Sequence, residues 1–210
     1  GGSDLGPRAL YLALEGVFAD NPAGTPSGTS AGPSGNRDTM TARFISNVDP
    51  DDAAAVLEEI DPERTLFILV SKSGTTQETL TNRELVLHTM RSRGGEGIDP
   101  SRHMVAVTSS SSPLAQSTEF LDSFFIDDYI GGRYSSTSAV GGVLLSLAFG
   151  PEVFVQLLEG AHQQDRLALE EDIQANPALL DALIGVYMRN CLGFNATAIL
   201  PYSQALSRFP

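Results

Sequence analysis

Ser71-Lys72-Ser73-Gly74-Thr75-Thr76 packs four hydroxyls, a glycine and a lysine into six residues, directly behind the apolar run Phe67-Ile68-Leu69-Val70. The chemistry this spacing suits is anion binding. The stretch after it is helix-forming, and the first turn of a helix carries unsatisfied backbone donors and a partial positive charge. Hydroxyls on several sides, with Lys72 adjacent, match three phosphate oxygens better than one carboxylate. The same residues would also serve as an ordinary Ser/Thr helix cap, and composition alone weights the two readings about evenly. A Walker loop is excluded, because it needs Gly-x-x-x-x-Gly-Lys-Ser/Thr with the lysine at its end.

Two further stretches carry chemistry. In Ile130-Gly131-Gly132-Arg133-Tyr134-Ser135, paired glycines let a backbone approach a ligand, and Arg133 is a fixed cation at the entry to an apolar helix. Taken alone, a surface arginine beside a glycine turn is the commoner reading. Gly1-Gly2-Ser3-Asp4-Leu5-Gly6-Pro7 is a glycine-rich turn ahead of a helix expected over Leu5 to Phe18. Such turns normally follow a strand, so either a strand precedes Gly1 in the intact protein, which is the favoured reading, or the turn is a frayed terminus. His88, His103 and His162 are scattered without metal-ligand spacing, so neither a metal nor a cofactor is expected.

The elements that position these residues alternate. Short strands are expected at Arg43–Asn47, Thr65–Ser71, Met104–Thr108 and Ser123–Ile126. The apolar run at Phe67–Val70 reads as a strand buried on both faces. Helices are expected at Asp51–Ile60, from Thr76 to about Arg93 with a stop at Gly94-Gly95, and weakly around Leu114–Glu119 after the polar turn Ser109–Ser112. Others follow at Ala139–Phe149, on to about Asp172 beyond Pro151, and at Pro177–Leu192. This alternation implies an α/β fold, a three-layer sandwich with a parallel sheet flanked by helices, whose ligands bind beyond the carboxyl ends of the strands. Asn195–Tyr202 reads as a fresh buried strand. Residues 1–150 therefore form a first α/β domain, and 151–210 begin a second that the chain does not finish. Asp20 to Ala42 is rich in Pro, Gly, Ser and Thr and reads as a flexible insertion.

Composition bounds the partners. Thirteen basic against twenty-six acidic residues give a net charge of −13, which disfavours nucleic acid and anionic membranes. A hydrophobic content of 41% is ordinary for a globular protein. No apolar run approaches the roughly 18–20 residues of a membrane span. The single Cys191 excludes an intrachain disulfide framework and reads as a buried structural thiol in a reducing, cytoplasmic setting.

Together the motifs resemble one family. Gly1–Pro7, Ser71-Lys72-Ser73-Gly74-Thr75-Thr76-Gln77-Glu78-Thr79, Gly131-Gly132-Arg133-Tyr134-Ser135 and Leu200-Pro201-Tyr202-Ser203-Gln204-Ala205-Leu206 are similar, in order, to motifs of glucose-6-phosphate isomerases. The Ser-x-Ser-Gly-x-Thr turn is shared with other sugar isomerase (SIS) domains, whose fold is flavodoxin-like. The glycine-arginine and Pro-Tyr-Ser-Gln-Ala-Leu segments are much more specific.

The resemblance implies two SIS domains per chain, a homodimer, and interconversion of glucose 6-phosphate and fructose 6-phosphate through a cis-enediol in glycolysis and gluconeogenesis. On that basis Ser71, Lys72, Ser73 and Thr76 would hold the substrate phosphate, with Lys72 acting through the backbone around it. Gly2, Ser3 and Gly132 would line the sugar. Arg133 would stabilise the enediol's negative charge, and Glu78 would orient a ring-opening histidine from the neighbouring subunit. The family's general base, a glutamate in a Glu-Ser-Asn-Gly motif, is expected beyond Pro210, which makes this chain a fragment that turns over little by itself. A non-catalytic phosphosugar-sensing SIS module and another phosphosugar isomerase are the rival readings.

Overall fold

A computed structural model describes residues 2–20, 40–93 and 97–209. Three parallel strands form the sheet, β1 (Phe67–Val70), β2 (Met104–Thr108) and β3 (Asp122–Phe125), with β2 in the middle. The register pairs Phe67 with Met104 and Val105 with Asp122. Both ladders continue past the strand ends, where the Ser71 N–H donates to the Val107 carbonyl at 3.0 Å and the Ile126 N–H to that of Thr108 at 2.8 Å.

Alternation of side chains across the pleat builds a core on each face. Leu69, Met104 and Ala106 point to one side, where Leu57 of α2 (Pro50–Glu59) and Val86, Leu87 and Met90 of α3 (Gln77–Arg93) cover them. Val105 and Val107 point to the other, against Ile126 and against Val140 and Val143 of α4 (Ala139–Phe149). The far side of α4 carries Leu145, Ala148 and Phe149, which pack on Tyr11 of α1 (Gly2–Asp20). Helices on both faces of a parallel sheet are the expected sandwich.

Caps explain several boundaries. Asp49 accepts from the Asp51 and Asp52 N–H groups at the start of α2, with Pro50 in the first helical position. The carboxyl end of α2 is closed from outside, because Arg93 donates to the Leu57 and Ile60 carbonyls. Helices α5 (Pro151–Ala168) and α6 (Pro177–Asn190) are joined through Asn176. Its carbonyl oxygen accepts from the Leu179 N–H at 2.9 Å, while its amide donates to Ala168 and Glu170. No helix among the described residues is long and apolar enough to cross a membrane.

Several expectations fail. Arg43–Asn47 forms no strand. Its Phe44 and Ile45 are drawn to separate cores, so no partner lies alongside to complete a ladder. Asn195–Tyr202 is likewise irregular and exposed, since no other described strand stands beside it. Strand β1 is not buried on both faces: only Leu69 is buried, because β1 is at the edge of the described sheet while β2 is buried throughout. Gly2 already belongs to α1, with Asp4 in the first turn, where a carboxylate suits the helix dipole. The weak helix at Leu114–Glu119 is a single 3₁₀ turn, Pro113–Gln116. Cys191 is exposed rather than buried, since nothing described covers the end of α6. The flexible insertion expected at 20–42 falls mostly on residues outside those described, as does the Gly94-Gly95 stop.

Candidate functional site

All three strands end on one edge of the sheet, and their following turns meet there. The turn after β1 is shaped by Gly74, whose φ of +69° is a left-handed conformation open to glycine. A β-carbon at Gly74 would also stand 2.2 Å from the Ser112 Oγ. That Oγ is committed to capping the next turn by accepting from the Leu114 N–H. Gly74 therefore serves both the bend and the fit between two turns.

Within the bend the hydroxyls converge. Ser71, 4% exposed, donates through Oγ to Thr76 Oγ1 at 3.1 Å and accepts from the Gly74 N–H at 3.1 Å. Ser73 Oγ lies 3.5 Å from Thr76 Oγ1 and accepts from the N–H and hydroxyl of Thr75. The first intrahelical bond of α3 runs from the Leu80 N–H to the Thr76 carbonyl at 3.1 Å, which makes Thr76 the helix cap. By position, the N–H groups of Gln77, Glu78 and Thr79 then have no acceptor within the helix. The turn's hydroxyls bond among themselves beside the start of α3, where the helix N–H groups and dipole favour an anion.

The other two turns brace it. Thr108, fully buried at the end of β2, donates to the Ser71 carbonyl at 2.7 Å, and the Ser109 N–H donates to the Lys72 carbonyl at 3.0 Å. The Lys72 ammonium reaches away from the hydroxyl cluster to the carbonyls of Asp128 (2.5 Å) and Ile130 (2.9 Å). The Asp128 carboxylate in turn accepts from the Ser109 hydroxyl.

A cavity of about 1160 Å³ runs along the open side of β1, from Thr65 and Leu66 up to this carboxyl edge. Ser3, Ser71, Lys72, Ser73, Thr76 and Glu78 all line it. Gly132 and Arg133 are not in that lining. Arg133 is exposed, with its guanidinium 5.9 Å from the ring centre of Tyr134. Its 3₁₀ segment, Gly132–Thr137, is wired by its own serines: Ser135 donates to the Gly132 carbonyl at 2.6 Å, and Ser138 donates to that of Ser135 at 2.7 Å. Gly141 lets α4 press against this segment, since a β-carbon there would sit 1.9 Å from the Ser136 carbonyl oxygen.

Sequence reasoning missed Asp128 and the bracing role of Ser109. The run Ser109–Ser112 at the end of a strand was a visible signal. Asp128 had none, because its partners are 19 and 56 residues away.

The family model for phosphoglucose isomerase matches residues 1–210. Glucose-6-phosphate isomerases of Treponema pallidum and Treponema denticola are 57% and 55% identical over 210 residues. The chain spans only about a third of their length, 36% in each case. The crystal structure of a glucose-6-phosphate isomerase from Chlamydia trachomatis superposes with a TM-score of 0.83 at 42% identity, covering 100% of this chain and 36% of that one. A hypothetical protein from Thermus thermophilus superposes at 0.73 with 30% identity, covering 100% of this chain and 44% of that one. With a full-length family match and the same fold beneath it, this chain belongs to the phosphoglucose isomerase family.

Proposed function

We infer that the chain is part of an aldose–ketose isomerase that interconverts glucose 6-phosphate and fructose 6-phosphate. The observation that carries this reading is the convergence of the Ser71, Ser73 and Thr76 hydroxyls on the first turn of α3, in a chain of this family. In the proposed mechanism those hydroxyls and the N–H groups of the turn hold the phosphate. Lys72 contributes by fixing the backbone rather than by direct charge. Gly2, Ser3 and Gly132 line the sugar. Proton transfer between C1 and C2 passes through a cis-enediol, whose negative charge Arg133 stabilises, an interaction stronger in the transition state than in the ground state.

Glu78, at the start of α3, orients a histidine supplied by a second subunit, so the working enzyme is a homodimer. The general base is a carboxylate from sequence that this chain does not contain, and residues 151–210 open the second of two α/β domains. The setting is the cytoplasm, in glycolysis and gluconeogenesis.

The test is an assay with fructose 6-phosphate on the complete polypeptide, its Arg133→Ala variant and this 210-residue chain alone. The expected result is turnover by the complete polypeptide, a kcat lowered about 10²–10³-fold by the substitution, and silence from the chain. Turnover that ignores Arg133, or robust turnover by the chain alone, would contradict the assignment of roles.

A further inference from the structure

We propose that Asp128 is a positioning residue, which clamps the loop leading to Arg133 onto the phosphate turn and so fixes the separation between them. The proposal rests on the functional reading above. Asp128 sits where the three turns at the carboxyl edge of the sheet meet. Its side chain accepts from the Ser109 hydroxyl of the turn after β2, at 2.5 Å, within the range of a charge-assisted O–H···O⁻ bond. Its carbonyl accepts from the ammonium of Lys72, in the turn after β1. The same ammonium takes the Ile130 carbonyl two residues on, three residues before Arg133.

Each partner is itself anchored. The Ser109 N–H donates to the Lys72 carbonyl, and Thr108 holds the Ser71 carbonyl from a fully buried position. A closed circuit therefore runs from Lys72 through Asp128 and Ser109 back to Lys72. Beyond it, the chain from Gly131 enters the serine-wired 3₁₀ segment that carries Arg133. Lys72, Ser109 and Asp128 all line the cavity, yet two of the lysine's three donors are spent on carbonyls rather than aimed at a ligand. That use of a cation fits a strut. Displacing a catalytic group by about 1 Å can cost on the order of 10²-fold in rate, so a strut between phosphate turn and arginine has kinetic weight.

The variants are Asp128→Ala, Asp128→Asn, Ser109→Ala and the Ser109→Ala, Asp128→Ala double, made in the complete polypeptide. Asparagine keeps an acceptor for Ser109 and alanine does not. The expected outcome is a kcat about 10–100-fold lower in each alanine variant, with KM for fructose 6-phosphate changed less than about threefold. The double variant should be no worse than Ser109→Ala alone, because both singles cut the Ser109–Asp128 bond and Ser109→Ala also loses the Ser109 contacts to Ser111, and Asp128→Asn should recover most of the loss. An unchanged kcat, a loss confined to KM, or equal losses for asparagine and alanine would each overturn the clamp.

Hydrogen exchange on the same variants supplies a reading that does not need turnover. The clamp predicts faster exchange at 126–137 and no change at 71–76, and exchange unchanged at 126–137 overturns it. A polypeptide with no activity even before substitution would sink the functional reading, while the exchange comparison still decides the clamp. Should Asp128→Ala fail to fold, Ser109→Ala cuts the same bond from the other side.

Discussion

Gly74 shows how much one residue can decide at this site. Its positive φ and its closeness to Ser112 Oγ both oppose any side chain. A left-handed conformation costs a non-glycine residue roughly 1–2 kcal/mol, and the clash adds the loss of the Ser112 cap. Gly74→Ala should therefore destabilise the chain by about 2 kcal/mol or more, while lowering its affinity for a phosphate ester at least tenfold. Chemical denaturation and calorimetry check the two halves separately; an alanine variant that binds as well as the parent would show that the turn is not the anion site. At this scale the sequence was readable where contacts are local. Ser71, Ser73, Thr75 and Thr76 lie within six residues and bond mainly to one another. Asp128 was not readable, since a carboxylate before Tyr129-Ile130-Gly131 looks like any solvated acid until folding brings Ser109 and Lys72 to it.

Elements were legible in proportion to how much they stabilise themselves. Met104–Thr108 and Ala139–Phe149 stand where their apolar patterns put them. Arg43–Asn47 and Asn195–Tyr202 have strand-like composition, but a strand exists only beside a partner, and composition cannot supply one. The contact between α1 and the segment near residue 42 offers a test at this scale. Tyr11, 3% exposed, donates its hydroxyl to Glu15 and accepts from the Ala42 N–H at 3.0 Å. Burial, reinforced by Glu15, raises its pKa above the ordinary 10.0, although the Ala42 bond opposes the shift. A tyrosine whose folded pKa is raised keeps its proton in the native state after the unfolded chain has lost it. Its contribution is thus complete below pH 10 and is lost as pH rises through the folded value. Urea midpoints measured on either side of pH 10 should fall more steeply for the parent than for Tyr11→Phe, and parallel slopes would remove Tyr11 from the account.

The whole molecule carries two features that no single element explains. Helix α6 exposes Leu179, Leu180, Leu183, Ile184 and Tyr187 together, and Cys191 follows at its end. These five residues share one face of the helix, and an apolar face of that kind ordinarily packs against a neighbour, which is why the thiol was misread from sequence. The other feature is the net charge of −13, which repels a phosphate ester at long range. Binding must then come from the turn at α3 itself. The most direct measurement is a calorimetric titration of fructose 6-phosphate into this chain and into its Ser73→Ala, Thr76→Ala variant. One equivalent should bind the parent, and the variant should lose at least about tenfold in affinity, since a hydrogen bond to a charged group contributes roughly 1.5–3 kcal/mol. Equal affinity in both proteins, or no binding to the parent, would contradict the claim that these hydroxyls hold the phosphate.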